Sequence, residues 1–145
     1  MMERALLDST VACILEFGVA GATVSRIARR ANATGGAVQH HFGMRDGLLL
    51  GVVDDFGQRL KVATQATVRV ADSLEDRVDA VCDVSWNVVS SSHYRAIIQI
   101  LLAVQEKETL YTQIFDRLKG FERDLDDLWV RIFEGSGLGV NGHYF

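Results

Sequence analysis

Apolar residues recur with a helical period along almost the whole of this 145-residue chain. Residues 3–17 predict a first helix, with Leu7, Val11 and Ile14 on one face. Gly18 follows the last periodic residue, and glycine is the usual residue where a helix ends in the left-handed conformation. No stretch alternates between apolar and polar residues as a β-strand would. The pattern therefore predicts an all-α protein.

Two short helices are predicted next, joined by a tight turn. Thr23 and Thr34 each precede a short helical run, where a threonine oxygen can accept a hydrogen bond from a backbone N–H. Asn32 can take the left-handed conformation that ends the first run, and the second extends from Gly35 to Phe42. Two short helices in this arrangement are typical of a helix-turn-helix. The apolar positions of the first run have the spacing i, i+3, i+4, i+7: Val24, Ile27, Ala28 and Ala31.

Longer helices are predicted for the rest of the chain. Their periodic stretches cover about 45–66, 73–89, 93–104 and 107–134. Residues Thr67–Ala71 form a weaker junction, and the glycine-rich end from Gly135 onwards is expected to fray. We therefore divide the chain into a helix-turn-helix domain, residues 1–50, and a second helical domain, residues 51–145.

Charge is distributed unevenly along the chain, although its net charge is −4. No acidic residue lies between Glu16 and Asp46, and this stretch contains four arginines. A basic, acid-free segment in an acidic protein indicates a surface that approaches phosphate groups, although a solvated helix face is the simpler explanation of such a run. The four arginines are Arg26, Arg29, Arg30 and Arg45.

Several other classes of protein find no support in the sequence. Cys13 and Cys82 belong to no metal-binding or redox spacing, and the adjacent His40 and His41 diverge on a helix and have no third ligand nearby. No nucleophile and base, phosphate loop or carboxylate cluster forms a catalytic pattern. No apolar run reaches membrane-spanning length. We expect a cytoplasmic protein that is not an enzyme, has no metal or cofactor, and does not associate with membranes.

The stretch from Thr23 to Leu49 resembles the DNA-binding module of the tetracycline-repressor-like (TetR) family. The similarity extends over residues 5 to about 53. It combines the glycine-ended first helix, the Thr23 cap, a glycine-containing recognition helix that ends in His41-Phe42, and a basic residue before Leu48-Leu49.

The resemblance implies a three-helix DNA-binding bundle followed by a helical ligand-binding and dimerisation bundle. The implied function is a ligand-responsive repressor that binds a pseudo-palindromic operator in double-stranded DNA as a homodimer. The resemblance also implies that the repressor releases the operator when an unknown small-molecule effector binds. The alternative is an all-helical protein-interaction module that has lost autonomous regulatory function through a shortened C-terminus.

We expect the DNA contacts to come from the helix-turn-helix and the start of the next helix. Gln39 stands where the family usually has an aromatic residue, and its amide could read adenine in a bidentate manner. His40 and Arg45 are expected to contact phosphates. The full set is Thr23, Arg26, Thr34, Gly35, Gly36, Ala37, Gln39, His40 and Arg45.

Aromatic residues in the later helices could line an effector cavity, or could equally be core residues. The expected ligand-binding residues are Phe56, Trp86, Tyr94, Gln99 and Phe115. We also considered Asn87, His93 and Trp129 for this region.

The last predicted helix carries a long apolar stripe. Family members usually have two further helices after this one, and this chain ends where they would begin. We therefore expect the stripe to be exposed and to form a two-fold dimer interface. The stripe consists of Leu110, Ile114, Leu118, Phe121, Leu125, Leu128 and Ile132.

Overall fold

The computed structural model describes residues 1–68 and 73–137, and the regular structure within those ranges is entirely helical. This confirms the all-α prediction, and each predicted helix is present with ends within a few residues of those expected. In the described ranges the helices are α1 (Met2–Gly21), α2 (Val24–Arg30), α3 (Gly35–Phe42), α4 (Arg45–Val68), α5 (Leu74–Val89), α6 (Ser92–Val104) and α7 (Glu108–Phe133).

The predicted helix ends of the N-terminal module are present in the structure. Gly18 leaves the helical conformation at φ 71° and ψ 170°, so α1 is kinked before it ends at Gly21. The Thr23 side chain accepts a hydrogen bond from the Arg26 N–H at 3.3 Å. Thr34 does the same for the Ala37 N–H at 3.1 Å. Asn32, at φ 52°, is the residue in the left-handed region between α2 and α3.

One hydrophobic core continues from the N-terminal module into the later helices. Leu6 and Ile14 of α1 are fully buried, and the same cluster includes Val38 of α3 and Ile100 of α6. The α1 helix packs against α2, α4 and α6, so it contacts both parts of the chain. The α4 helix, which contains the expected boundary at residue 50, packs against α1, α3, α5, α6 and α7.

The apolar stripe of α7 is internal, so the expectation that it is exposed is wrong. Four of its residues, Leu110, Ile114, Leu128 and Ile132, are at most 5% exposed. Leu118, Phe121 and Leu125 are half-buried and pack against the core. The reason is that α4 and α5 both lie on this face of α7. A dimer through this stripe is therefore not what the fold supports.

A glycine allows α4 and α7 to approach closely. A Cβ atom on Gly57 would lie 1.9 Å from the Cε1 and Cζ atoms of Phe121, so any larger residue would force the ring to move. The predicted junction at Thr67–Ala71 is only partly described: α4 continues to Val68, and residues 69–72 lie outside the described residues. The glycine-rich end beyond residue 137 also lies outside them.

Candidate nucleic-acid interface and effector cavity

The α3 helix presents a polar face to solvent. Val38 is fully buried and Phe42 is half-buried, so these residues attach the helix to the core. Gln39 and His40 are exposed on the remaining surface. The helix is therefore held by one narrow apolar edge, and its polar side chains are available to a partner.

The N-terminal end of α3 is open to close approach. A Cβ atom on Gly35 would meet no other atom within 4 Å, and one on Gly36 would lie 3.8 Å from the Thr34 Oγ1 atom. The N–H groups of Ala37 and Val38 donate to the side chain and the carbonyl of Thr34. Those of Gly35 and Gly36 have no hydrogen-bond acceptor among the described residues, which leaves them available to an anion.

Two arginines bind the carbonyl groups at the end of α1. The Arg26 Nη1 atom donates to the Gly21 carbonyl at 2.9 Å, and its guanidinium lies 4.6 Å from the centroid of the Phe17 ring. Arg45 donates to the Ala22 carbonyl at 3.3 Å and to the Val19 carbonyl. The last carbonyls of a helix lack partners within it, so both arginines stabilise the end of α1.

The other two arginines of the acid-free stretch differ from each other. Arg30 forms an ion pair with Glu16 at 2.6 Å, across the gap between α2 and α1. Arg29 is exposed and has no ion-pair partner among residues 1–68 and 73–137. The segment is thus less positive towards solvent than its arginine count indicates.

A cavity of about 330 Å³ lies between α4, α5, α6 and α7. This volume is within the range of small-molecule sites. Along α4 it extends from Phe56 to Thr64, which at 1.5 Å per residue is about 12 Å. Nearly all of its wall is apolar: Phe56, Leu60, Thr64, Val81, Val84, Ser85, Val88, Val89, Tyr94, Leu118, Phe121, Leu125, Leu128 and Trp129.

A cluster of charges connects α1, α4 and α6. The largely buried Asp55 carboxylate accepts hydrogen bonds from Arg4 at 2.8 Å and from Arg59 at 2.7 Å. The His93 Nε2 atom, at the start of α6, lies 3.6 Å from Asp55 and 3.7 Å from Asp8, and has no hydrogen-bond partner within residues 1–68 and 73–137. Burial lowers the pKa of His93, and the charge of Arg59 adds to this effect; Asp55 and Asp8 oppose it, and Arg4 lowers it further.

Comparison with known proteins gives consistent results for the N-terminal part. Residues 6–52 match the family model described as bacterial regulatory proteins of the tetR family. Residues 6–52 therefore form a TetR-family domain.

Two curated relatives are HTH-type transcriptional regulators named BetI. The one from Escherichia coli is 30% identical over 113 residues, which is 75% of this chain and 58% of the relative. The one from Cronobacter sakazakii is 36% identical over 67 residues, which is 46% of this chain and 33% of the relative. The chain thus spans between about a third and three fifths of their length.

Solved structures share the fold of most of the chain. The fatty acid degradation regulator FadR from Bacillus halodurans has a TM-score of 0.79 at 22% identity, covering 95% of this chain and 72% of that one. FadR from Bacillus subtilis, solved in complex with stearoyl-CoA, has a TM-score of 0.73 at 20% identity, covering 95% and 74%. The TetR-family domain is therefore followed here by the same kind of helical bundle.

The sequence-predicted DNA contacts fall into two groups in the TetR-family domain. Thr34, Gly35, Gly36, Gln39 and His40 lie together on the exposed side of α3, with Ala37 half-buried beside them. Thr23, Arg26 and Arg45 have partners within the protein, as does Thr34 through its hydrogen bond from the Ala37 N–H. Sequence reasoning missed that Arg26 and Arg45 bind carbonyls of α1, although α1 has no basic residue in its own last turn to do so. Contact of these residues with DNA stays a prediction.

The predicted effector residues are only partly brought together. Phe56 and Tyr94 line the cavity, with ring centroids 6.1 Å apart. Trp86 is 71% exposed, Phe115 is 43% exposed and Gln99 is half-buried, and none of these three lines the cavity. The expectation that Trp86 and Phe115 line this cavity is therefore wrong, and a role of these three residues in ligand binding stays a prediction.

The reason lies in helix geometry. Trp86 is two residues from both Val84 and Val88, and two residues correspond to about 200° around a helix, so it points away from the cavity that those valines line. Phe115 instead stacks on Tyr111, with ring centroids 6.0 Å apart. The missed wall residues include Leu118, Phe121 and Leu125, members of the same α7 stripe that was expected to be exposed.

Proposed function

We propose that the protein is a ligand-responsive transcriptional repressor that binds a pseudo-palindromic operator as a homodimer. The observation that carries this proposal is α3, which presents its open N-terminal end and polar side chains to solvent within a TetR-family domain. Residues 1–50 would bind DNA, and residues 51–145 would bind the effector and the second subunit. The expected cellular location is the cytoplasm.

In the proposed complex α3 enters the major groove. The N–H groups of Gly35 and Gly36 would hold a phosphate, because the positive end of the helix dipole adds to their hydrogen bonds. His40 would contact a second phosphate, and Gln39 would donate to and accept from an adenine edge. The two recognition helices of the dimer would lie about 34–36 Å apart, one turn of B-DNA.

The cavity is the proposed effector site. Its wall joins α4, which also packs against α3, to α7. An effector would relieve repression by binding better to a conformation whose recognition helices no longer match the operator. The similar FadR fold that holds stearoyl-CoA supports a small-molecule role for a bundle of this kind.

DNA binding is tested with the DNA upstream of the protein's own gene as the probe, titrated at several salt concentrations. Gln39→Ala should relax the base preference at one position in each half-site by about 1–3 kcal/mol. His40→Ala is the matched control from the next position: it should weaken binding to all sequences about equally and lower the salt slope by about one ion. A binding motif that Gln39→Ala leaves unchanged in a randomised-site selection would reject the proposed base contact.

The interaction-module alternative has less support. The relatives that match the chain are transcriptional regulators, and the α7 stripe that suggested a free partner surface is internal. Light scattering of the purified chain, with and without the DNA fragment, distinguishes the two. A repressor should bind the fragment with two subunits, whereas an interaction module should not bind it at all.

A further inference from the structure

The described residues that line the cavity carry no carboxylate, ammonium, guanidinium or imidazole group. The polar side-chain groups of these residues are the hydroxyls of Thr64, Ser85 and Tyr94 and the indole N–H of Trp129. The Thr64 hydroxyl donates to the carbonyls of Leu60 and Lys61, both at 3.0 Å, so this residue has its donor occupied by its own helix. The hydroxyls of Ser85 and Tyr94 remain for a ligand.

Two basic groups close to the wall in sequence are occupied. Lys61, next to Leu60, forms an ion pair with Asp124 at 3.4 Å. Arg77 donates to the carbonyls of Arg131 and Glu134 at 3.0 and 3.1 Å. The α5 helix that forms one side of the cavity has four acidic residues and only this one basic residue. An anion in the cavity would face the acidic residues of α5, and no cationic group stands among the described wall residues to offset them.

We propose that the effector is an uncharged, largely hydrocarbon molecule with a single hydroxyl or carbonyl group that binds Ser85 or Tyr94. The inference rests on the proposed effector role of the cavity and names the chemical class it takes. Its physical basis is that burial of a charged head group in this wall has no compensating partner, whereas apolar groups gain free energy on leaving water. Free carboxylates and phosphate esters are outside the class.

The test compares three probes with the same alkyl chain: 1-octanol, octanoate and octyltrimethylammonium. Trp129 lines the cavity and Trp86 does not, so the Trp86→Phe protein reports binding through Trp129 fluorescence alone. We expect 1-octanol to bind at least ten times more tightly than either charged probe. The class is overturned if either charged probe binds as tightly as 1-octanol, or if 1-octanol does not bind.

Two substitutions on α5 test the location. Val84 lines the cavity and Val78 lies outside it on the same helix. Val84→Phe should abolish 1-octanol binding, and the control Val78→Phe should leave it unchanged. Equal effects of the two substitutions would place the probe elsewhere and overturn the proposal. Circular dichroism establishes that each variant is folded.

A third substitution changes the charge of the wall and stays informative if Val84→Phe does not fold. Ser85 is exposed at the cavity edge, so Ser85→Arg is expected to be tolerated. The added guanidinium should tighten octanoate binding at least tenfold, because it supplies the cationic partner that the wall otherwise lacks. Unchanged octanoate binding would mean that wall charge does not select the ligand.

These titrations use the protein without DNA, so the ligand class and the proposed DNA-binding function are tested separately. If the upstream DNA is bound and 1-octanol is not, the ligand class is wrong and the repressor proposal stands. If 1-octanol binds in the cavity but leaves DNA binding unchanged, the class stands and its role as an effector fails.

Discussion

At the scale of single residues, Arg45 shows how one side chain can serve the fold where sequence indicates DNA. It is half-buried at the start of α4, and its guanidinium donates to the Ala22 and Val19 carbonyls at the end of α1. A basic residue at the first position of a helix opposes the helix dipole. These two carbonyl bonds offset that cost, and they attach α4 to α1 beside the recognition helix.

Arg45→Ala is therefore expected to lower the free energy of unfolding by about 1.5–3 kcal/mol, the usual loss for a hydrogen bond to a charged group. Urea denaturation in the absence of DNA measures it. Arg29→Ala is the matched control, since Arg29 is exposed without an ion-pair partner in the described ranges, and should change stability by less than about 0.5 kcal/mol. Equal stability of the two variants would contradict the structural role of Arg45.

His93 is expected to make the stability of the protein depend on pH. Its imidazole faces Asp8 and Arg4 of α1 and Asp55 and Arg59 of α4. The lowered pKa means that the folded state binds a proton less readily than the unfolded state. The contribution of neutral His93 to the free energy of unfolding is then fully present above the ordinary histidine pKa of about 6.5. This contribution is lost as the pH falls below that value.

We expect His93→Gln to lose less stability than the parent protein between pH 7.5 and pH 5.5. The glutamine keeps a polar side chain at the start of α6 but does not titrate. Urea denaturation at the two pH values gives the comparison, and His40→Gln, an exposed histidine, serves as the control. If His93→Gln and the parent respond equally to acid, His93 does not carry the effect.

At the scale of helices, the contact between Phe42 and Gly51 fixes the position of α3. A Cβ atom on Gly51 would lie 2.8 Å from the Phe42 Cε1 atom and 3.0 Å from the Leu7 Cδ2 atom. The end of the recognition helix thus packs directly on the backbone of α4. The sequence pattern places Phe42 in the core but gives no indication that its neighbour must be glycine.

Gly51→Ala should shift the Phe42 ring and weaken operator binding by about tenfold, with destabilisation of about 1–3 kcal/mol from overpacking. Gly120→Ala is the matched control in α7, where an added Cβ would meet nothing within 4 Å. It should instead stabilise the protein by about 0.5–1 kcal/mol and leave DNA binding unchanged, because alanine is the better helix former. If Gly120→Ala lowers the stability and the operator affinity more than Gly51→Ala does, Gly51 is not required for the packing of Phe42.

At the scale of the whole molecule, the continuous core makes the two parts of the chain depend on each other. Arg4 of α1 binds Asp55 of α4, and Arg117 of α7 binds Asp54 at 2.9 Å. Buried residues of α1, α3, α4, α6 and α7 belong to a single cluster. We infer that the expected division at residue 50 marks a change of role within one packed body.

None of the helices in residues 1–68 and 73–137 meets the length and hydropathy needed to cross a membrane.

The double substitution Leu118→Glu, Leu125→Glu is expected to unfold the later helices, because it places two carboxylates against the core and the cavity. The observable is a large loss of helical circular dichroism at 25 °C. Val130→Glu on the same helix is the control, since Val130 is 59% exposed, and it should leave the signal intact. Retention of full helicity by the double variant would restore the stripe as a candidate interface.

The local pattern of the chain determines its helices and the helix-turn-helix. Thr23 and Thr34 cap helices, Gly18 kinks α1, and Asn32 follows α2 in the left-handed conformation, because these preferences depend on a few neighbouring residues. The polar face of α3 follows from the same periodicity. Sequence reasoning therefore identified the exposed α3 residues proposed to contact DNA.

Only the tertiary structure determines which face of a helix meets which neighbour. Helical spacing shows that α7 has an apolar stripe, but the packing of α4 and α5 decides that this stripe is internal. For the same reason Phe56 and Tyr94 line the cavity, whereas Trp86 points to solvent. The carbonyl partners of Arg45 lie more than twenty residues earlier in the chain, and such contacts depend on the folded arrangement of helices rather than on any local pattern.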